Sequence, residues 1–294
     1  MNFFTSVNIP QYTFSISHQQ PVLLLGSCFT QNIGHQLHKN KFSAIVNPFG
    51  IIYNPISLAG AFKDVVENKT YTENDLFLFN DLWLSFHHHG DFSFPQKEDT
   101  LKKINKNIAD AHLQLKKTKT IIFTFGSAWV YEHKERNEIV ANCHKLPASN
   151  FNKRLISVNE IITSFSDLIK KHQDINFLFT VSPVRHIKDG LYENNLSKSV
   201  LHLAIHELVN QFENCFYFPA YEIVVDELRD YRFFNEDMVH PTPQAINYVW
   251  NKFGNAFFDK NTKELIQKIE KIQNAAQHKP FNFESEQHQQ FIQK

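Results

Sequence analysis

The sequence predicts an α/β protein built on a parallel sheet with helices on both faces. Three observations predict it: apolar runs of strand length recur, stretches of helical periodicity separate them, and two of the runs stop at glycine. Val22-Leu23-Leu24-Leu25 is apolar throughout, as expected of a strand with no solvent-facing side, and it stops at Gly26. Thr30 to Lys39 reads as a helix. Pro55 to Val66 reads as a second, with Asn54 placed to cap it and Pro55 at the first helical position. Thr100 to Lys117 carries Leu101, Ile104, Ile108, Ala111 and Leu115 on one helical face. Thr120 to Phe125 is the next buried strand, and it ends at Gly126. Beyond it, helices are expected over Asn159 to His172, Asn195 to Phe212, Pro243 to Phe258 and Thr262 to Ala276. Strands are expected over Ile175 to Val181 and Phe216 to Phe218.

Residues 67–99 and 132–156 read as irregular insertions, long enough to serve a function. Phe281 to Lys294 is rich in Gln and Glu with little to bury, and reads as a loosely attached tail. The expected division is a folded domain over 1–258 and a C-terminal helix with its tail over 259–294.

Composition excludes several classes. Lys plus Arg and Asp plus Glu are 30 each in 294 residues, so the chain lacks the basic bias that nucleic-acid binding requires. The 29 phenylalanines alternate with no Lys/Arg cluster, so they read as core and not as a base-stacking platform. No apolar run approaches the ~20 residues of a membrane span, so neither nucleic acid nor membrane is an expected partner. The first residues lack the basic region and apolar core of a secretory signal. Three cysteines, Cys28, Cys143 and Cys215, are too few for a disulfide framework, and the expected location is cytoplasmic. Only eight residues are glycine, so each one at a strand end is informative.

In parallel sheets ligands bind beyond the carboxyl ends of the strands. Those ends are Gly26-Ser27-Cys28, Gly126-Ser127-Ala128-Trp129, Ser182-Pro183-Val184-Arg185-His186 and the stretch after Pro219. Ser27 fits two roles at a strand-to-helix turn. It can cap the helix, or it can act as a nucleophile facing the free N–H groups of the first turn. Asp237-Met238-Val239-His240-Pro241 favours the second role. An Asp three residues before a His can hold one imidazole nitrogen and leave the other as general base. Cys28 competes as nucleophile, but the triad logic favours Ser27. Arg185 fits either a substrate carboxylate or a neighbouring acid. His87-His88-His89 is a weak metal motif, because successive residues of an extended loop point to opposite sides. No metal and no cofactor are expected. For His89, His144 and His186, a structural role competes with a place in the site.

At this point the residues resemble a known family. Leu25-Gly26-Ser27-Cys28-Phe29-Thr30 resembles the motif that names the GSCFA family, which is placed in the SGNH (GDSL-like) hydrolase superfamily. Asn47 to Pro55, Trp83 to His89, Phe125 to Tyr131, Asn142 to Lys145, Ser182 to His186 and Asp237-x-x-His240-Pro241 resemble further blocks of it. The resemblance spans about residues 3–255. It implies a three-layer α/β/α, flavodoxin-like fold with Ser27 as nucleophile, His240 as base and Asp237 as its orienter. The N–H groups of Ser27 and Gly50 would form the oxyanion hole. A Gly-x-Asn block supplies a third donor in the wider superfamily. Here that stretch is Gly126-Ser127-Ala128, with Asn142 or Asn54 as substitutes.

The expected activity is that of a serine esterase on a small acylated substrate, a carbohydrate among the candidates. An acyltransferase, a non-catalytic binding protein and a His-based metallohydrolase are the alternatives.

Overall fold

The computed structural model of the protein describes residues 4–277. Its strands are β1 (Val22–Gly26), β2 (Ala44–Val46), β3 (Phe77–Phe79), β4 (Leu82–Leu84), β5 (Thr120–Phe125), β6 (Trp129–His133), β7 (Glu138–Val140), β8 (Phe151–Leu155), β9 (Asn176–Val181) and β10 (Cys215–Tyr217). Its helices are α1 (Cys28–Lys39), α2 (Pro55–Glu67), α3 (Lys97–Leu115), α4 (Val158–Lys171), α5 (Leu191–Gln211), the single turn α6 (Ala220–Glu222), α7 (Pro243–Phe257) and α8 (Lys260–Gln277).

Five strands form the main sheet in the order β10-β9-β5-β1-β2, and every pair is parallel. Counted along the chain this is the doubly wound order 2-1-3-4-5 of flavodoxin-like sheets. Its switch point lies between β1 and β5, where an open α/β sheet binds its ligand.

Alternate residues of the strands feed two cores. Leu23, Leu25, Ile121, Phe123, Phe125, Phe177 and Phe179 pack with Phe62, Ile108, Phe165 and Leu201 of helices α2 to α5. Val22, Leu24, Ile122 and Leu178 pack on the other face with Phe29, Leu37, Val249 and Phe253 of α1 and α7. The result is the expected three-layer α/β/α arrangement. Much of the phenylalanine excess lies here: Phe123 meets Phe165 edge-on at 5.1 Å and stacks on Phe179 at 5.7 Å.

The two segments expected to be irregular carry strands of their own. β3 and β4 form an antiparallel hairpin whose turn residues, Asn80 and Asp81, both adopt positive φ (49° and 59°). That is the requirement of a tight type I′ turn, and the Asn-Asp pair was its signal. β6, β7 and β8 form a separate antiparallel sheet in the order β7-β6-β8. Phe86, Val140 and Phe151 make a small third core beneath these additions. The tail expected over Phe281 to Lys294 lies outside the described residues. Among the described residues no helix is long and apolar enough to cross a membrane.

Candidate active site

Ser27 lies where β1 gives way to α1, at the switch point. It is the N-cap of α1, with extended backbone, and its Oγ accepts from the Phe29 N–H at 3.3 Å. The capping role expected of Ser27 is the one seen, and the cap sets that oxygen at the positive end of the helix. The residue is fully buried. Cys28 beside it is partly buried, and burial pushes its thiol pKa upward, which keeps it protonated and weakly nucleophilic.

Asp237 and His240 come from a loop between α6 and α7 that is built as a hairpin. Phe234 and Pro241 pair across its base, and the Asn235 N–H donates to the His240 carbonyl at 2.8 Å. Thr242 then caps α7, with Pro243 at the first helical position. Within the loop, Asp237 Oδ1 accepts from the N–H groups of Val239 and His240, both at 2.9 Å. Asp237 Oδ2 faces His240 Nδ1 at 2.6 Å. The backbone N–H groups of His240 and Val239, with the imidazole, pull the Asp237 carboxyl pKa down to about 2. An ionised Asp237 leaves the proton on Nδ1 and Nε2 free to act as base.

Among the described residues the Ser27 hydroxyl and the His240 ring are not hydrogen-bonded to one another, and they are linked only through the charges around them. The charge of Asp237 acts on Cys28, and that of His240 acts on His186 at the β9 end. The dyad is half-exposed, while the Ser27 hydroxyl accepts from its own helix.

The backbone donors expected for an oxyanion are engaged within the protein. The Ser27 N–H donates to the Thr124 carbonyl at 3.2 Å and the Gly50 N–H to the Asn47 carbonyl at 2.7 Å. Gly50 sits at φ 77°, and a Cβ there would lie 2.3 Å from the Cβ of His89, so the structure does bring His89 to Gly50. His89 itself caps a short turn and pairs with Asp91 at 3.1 Å. The two asparagines build local structure. Asn54 Oδ1 caps α2 through the Ser57 N–H at 2.8 Å, and Asn142 Oδ1 accepts from the His144 N–H at 2.8 Å. His144 Nε2 donates to the Ser85 carbonyl at 2.7 Å within the added layer.

One site residue was not anticipated. Lys198 of α5 is almost fully buried and donates from Nζ to the Gly126 carbonyl at 2.7 Å and the Ser182 carbonyl at 2.8 Å. It ties together the ends of β5 and β9. Burial lowers its pKa to about 7, Cys28 opposes that shift and Arg185 adds to it. Its signal in the sequence is a polar break in an apolar stripe: Asn194, Ser197 and Lys198 continue the spacing of Leu201, Ile205 and Leu208. Ser197 serves the same loop, accepting from the Ala128 N–H at 2.7 Å. His186 packs its ring edge-on against Tyr53 at 5.1 Å, and burial lowers its pKa to about 4. Among the described residues no group of three or more His, Cys, Asp or Glu side chains is placed to hold a metal ion.

The buried histidines predict acid lability. His88 is fully buried against Phe49, and burial depresses its pKa and those of His87, His144 and His186. Between these lowered values and the ordinary 6.5, the unfolded chain binds protons that the folded chain does not. Stability is therefore full above about pH 6.5 and falls as the pH drops toward 4. Urea melts at pH 7.5, 6 and 5 should show steadily lower midpoints, and a midpoint constant down to pH 5 contradicts the burial of these rings.

Comparison with known proteins bears on this site. The model of the GSCFA family matches residues 21–253. That of the GSCFA domain protein, C-terminal domain, matches residues 269–294. No curated protein matches the chain. One similar solved structure is "The structure of a putative platelet activating factor from Streptococcus pneumonia", at 10% identity and a TM-score of 0.39, covering 80% of this chain and 84% of that one.

Proposed function

The chain belongs to the GSCFA family, and from that premise we propose that it is a serine hydrolase of the SGNH type, an esterase that removes small acyl groups. The observation that supports this reading is the 2.6 Å contact between Asp237 Oδ2 and His240 Nδ1, in a chain whose Ser27 caps the first helix after β1. In the proposed cycle the His240 ring turns so that Nε2 takes the Ser27 proton. Oγ attacks the ester carbonyl, and Asp237 stabilises the imidazolium. The developing oxyanion is met by the first turn of α1. The alcohol leaves with the proton from His240, and water activated by the same nitrogen releases the acid. An added alcohol that intercepts the acyl-enzyme would make the protein an acyltransferase, which product analysis detects.

A fluorophosphonate probe tests the nucleophile. The intact protein should acquire one covalent adduct at Ser27, found by peptide mass spectrometry, and His240→Ala should slow labelling by about a hundredfold or more. Protein that stays unlabelled at Ser27 would be a binding protein on a hydrolase scaffold.

A further inference from the structure

The end of β9 gathers polar nitrogens that have no partner among the described residues. Arg185 Nε, His186 Nε2 and the Asn194 side-chain nitrogen are all buried, and none meets an acceptor among the described residues. α5 holds this strand end through Asn194, whose Oδ1 accepts from the His186 N–H at 3.0 Å. Lys198 lies one turn along the same face of α5, and Arg185 and His186 are both within reach of its charge.

Three of the acids around them are already occupied. Asp189 pairs with Lys153, Glu222 binds Tyr217 and faces His202 at 3.3 Å, and Asp237 holds His240. No carboxylate pairs with Arg185 or Lys198 among the described residues, and Lys198 bonds only to neutral carbonyls. No carboxylate offsets the Arg185 guanidinium, and burial disfavours the charged form of Lys198, its pKa lowered to about 7, until an anion joins it.

We propose that Arg185, His186 and Asn194 form a subsite for a carboxylate carried by the substrate, with Lys198 supplying a buried positive field behind it. This rests on the hydrolase reading for its place in a reaction, but not for its binding. The planar fork of Arg185 suits a carboxylate, which accepts two parallel hydrogen bonds. Asn194 and the Nε2 nitrogen of His186, when it carries the proton, add neutral donors. The expected substrates are therefore esters with a free carboxylate on the acyl or the alcohol side.

The test compares matched esters. 4-Nitrophenyl hemisuccinate against 4-nitrophenyl butyrate places the carboxylate on the acyl group, and 4-acetoxybenzoate against its methyl ester places it on the leaving group. One anionic ester should be preferred by about tenfold or more in kcat/KM, as charged hydrogen bonds suggest. R185Q should cut that ratio by about tenfold, with R185K between the two. The ratio cancels any general loss of activity, and the wild-type ratio alone decides should R185Q fail to fold.

Binding is read separately. Succinate should raise the melting temperature of wild type and not of R185Q. Hydrolysis with no preference for either anionic ester overturns the subsite and leaves the hydrolase standing. Arg185-dependent stabilisation by succinate in a protein that cleaves none of the four esters keeps the subsite and overturns the hydrolase. Stabilisation by inorganic phosphate and not by succinate overturns the carboxylate assignment.

Discussion

Ser27→Ala lowers kcat/KM for 4-nitrophenyl acetate by about 10⁴-fold or more, the scale on which a triad nucleophile fails. The variant keeps its fold. Its structural loss is one cap, the acceptor of the Phe29 N–H, which costs about 1 kcal/mol and a few degrees of melting temperature. Activity and stability thus separate, and this distinguishes a nucleophile from a capping serine. A cap alone would show the stability loss with unchanged turnover. Retained activity in a well-folded variant sinks the assignment and turns attention to Cys28. Ser27→Cys is the complementary experiment, since it restores a nucleophile but weakens the cap.

Gly26→Ala is expected to have the largest effect on folding. The residue sits at φ 157°, and an added Cβ would stand 2.5 Å from the Thr124 carbonyl oxygen and 2.5 Å from Thr30 Oγ1. Neither neighbour can yield cheaply. The Thr124 oxygen accepts from the Ser27 N–H, Thr124 is the register partner of Gly26 on β5, and Thr30 is buried in α1. The Gly26 N–H is also held by Asn47 Oδ1 at 2.8 Å, which fixes β1 from its other side. Relief would require parting β1 from β5 at the switch point, and a loss of roughly 3 kcal/mol or more follows. Denaturant unfolding measures it; a midpoint within 0.5 M urea of wild type (about 1 kcal/mol) would show that the backbone has room to adjust.

The fold was legible because its buried strands announce themselves. Val22 to Leu25 and Thr120 to Phe125 are apolar on both faces, and Asn54-Pro55 and Thr242-Pro243 mark helix starts that the structure keeps. β2 escaped because three half-buried residues are too few to show a period. β6 to β8 escaped because an exposed antiparallel layer mixes charged residues with apolar ones, as in Phe151-Asn152-Lys153-Arg154-Leu155.

At the candidate site, the contact between Asp237 and His240 was legible from their spacing alone. The occupation of the Ser27 amide by the Thr124 carbonyl was not, because it depends on where β5 stands in space, whereas the Gly50 amide closes a local turn on Asn47 across Asn47-Pro48-Phe49-Gly50. Lys198 was hidden for a related reason. A lysine in a helix is ordinarily a solvated residue, and only tertiary packing places this one behind the strand ends.

Ser27 caps α1 and His240 lies two residues before the cap of α7, the two helices that cover one face of the sheet. α1 and α7 pack together there, and Gln36 Nε2 donates to Asn247 Oδ1 at 2.8 Å between them. The hairpin of β3 and β4 and the sheet of β6 to β8 attach on the opposite face, where Trp83, Val130, Ile139 and Leu155 pack with the core of α2 to α5 and none joins that of α1 and α7. The helices next to the proposed nucleophile and base and the added walls thus lie on opposite faces of the sheet. Grafting a different hairpin or small sheet onto this frame should redirect what enters without repacking α1 against α7, a division that suits the chain to diversification by insertion.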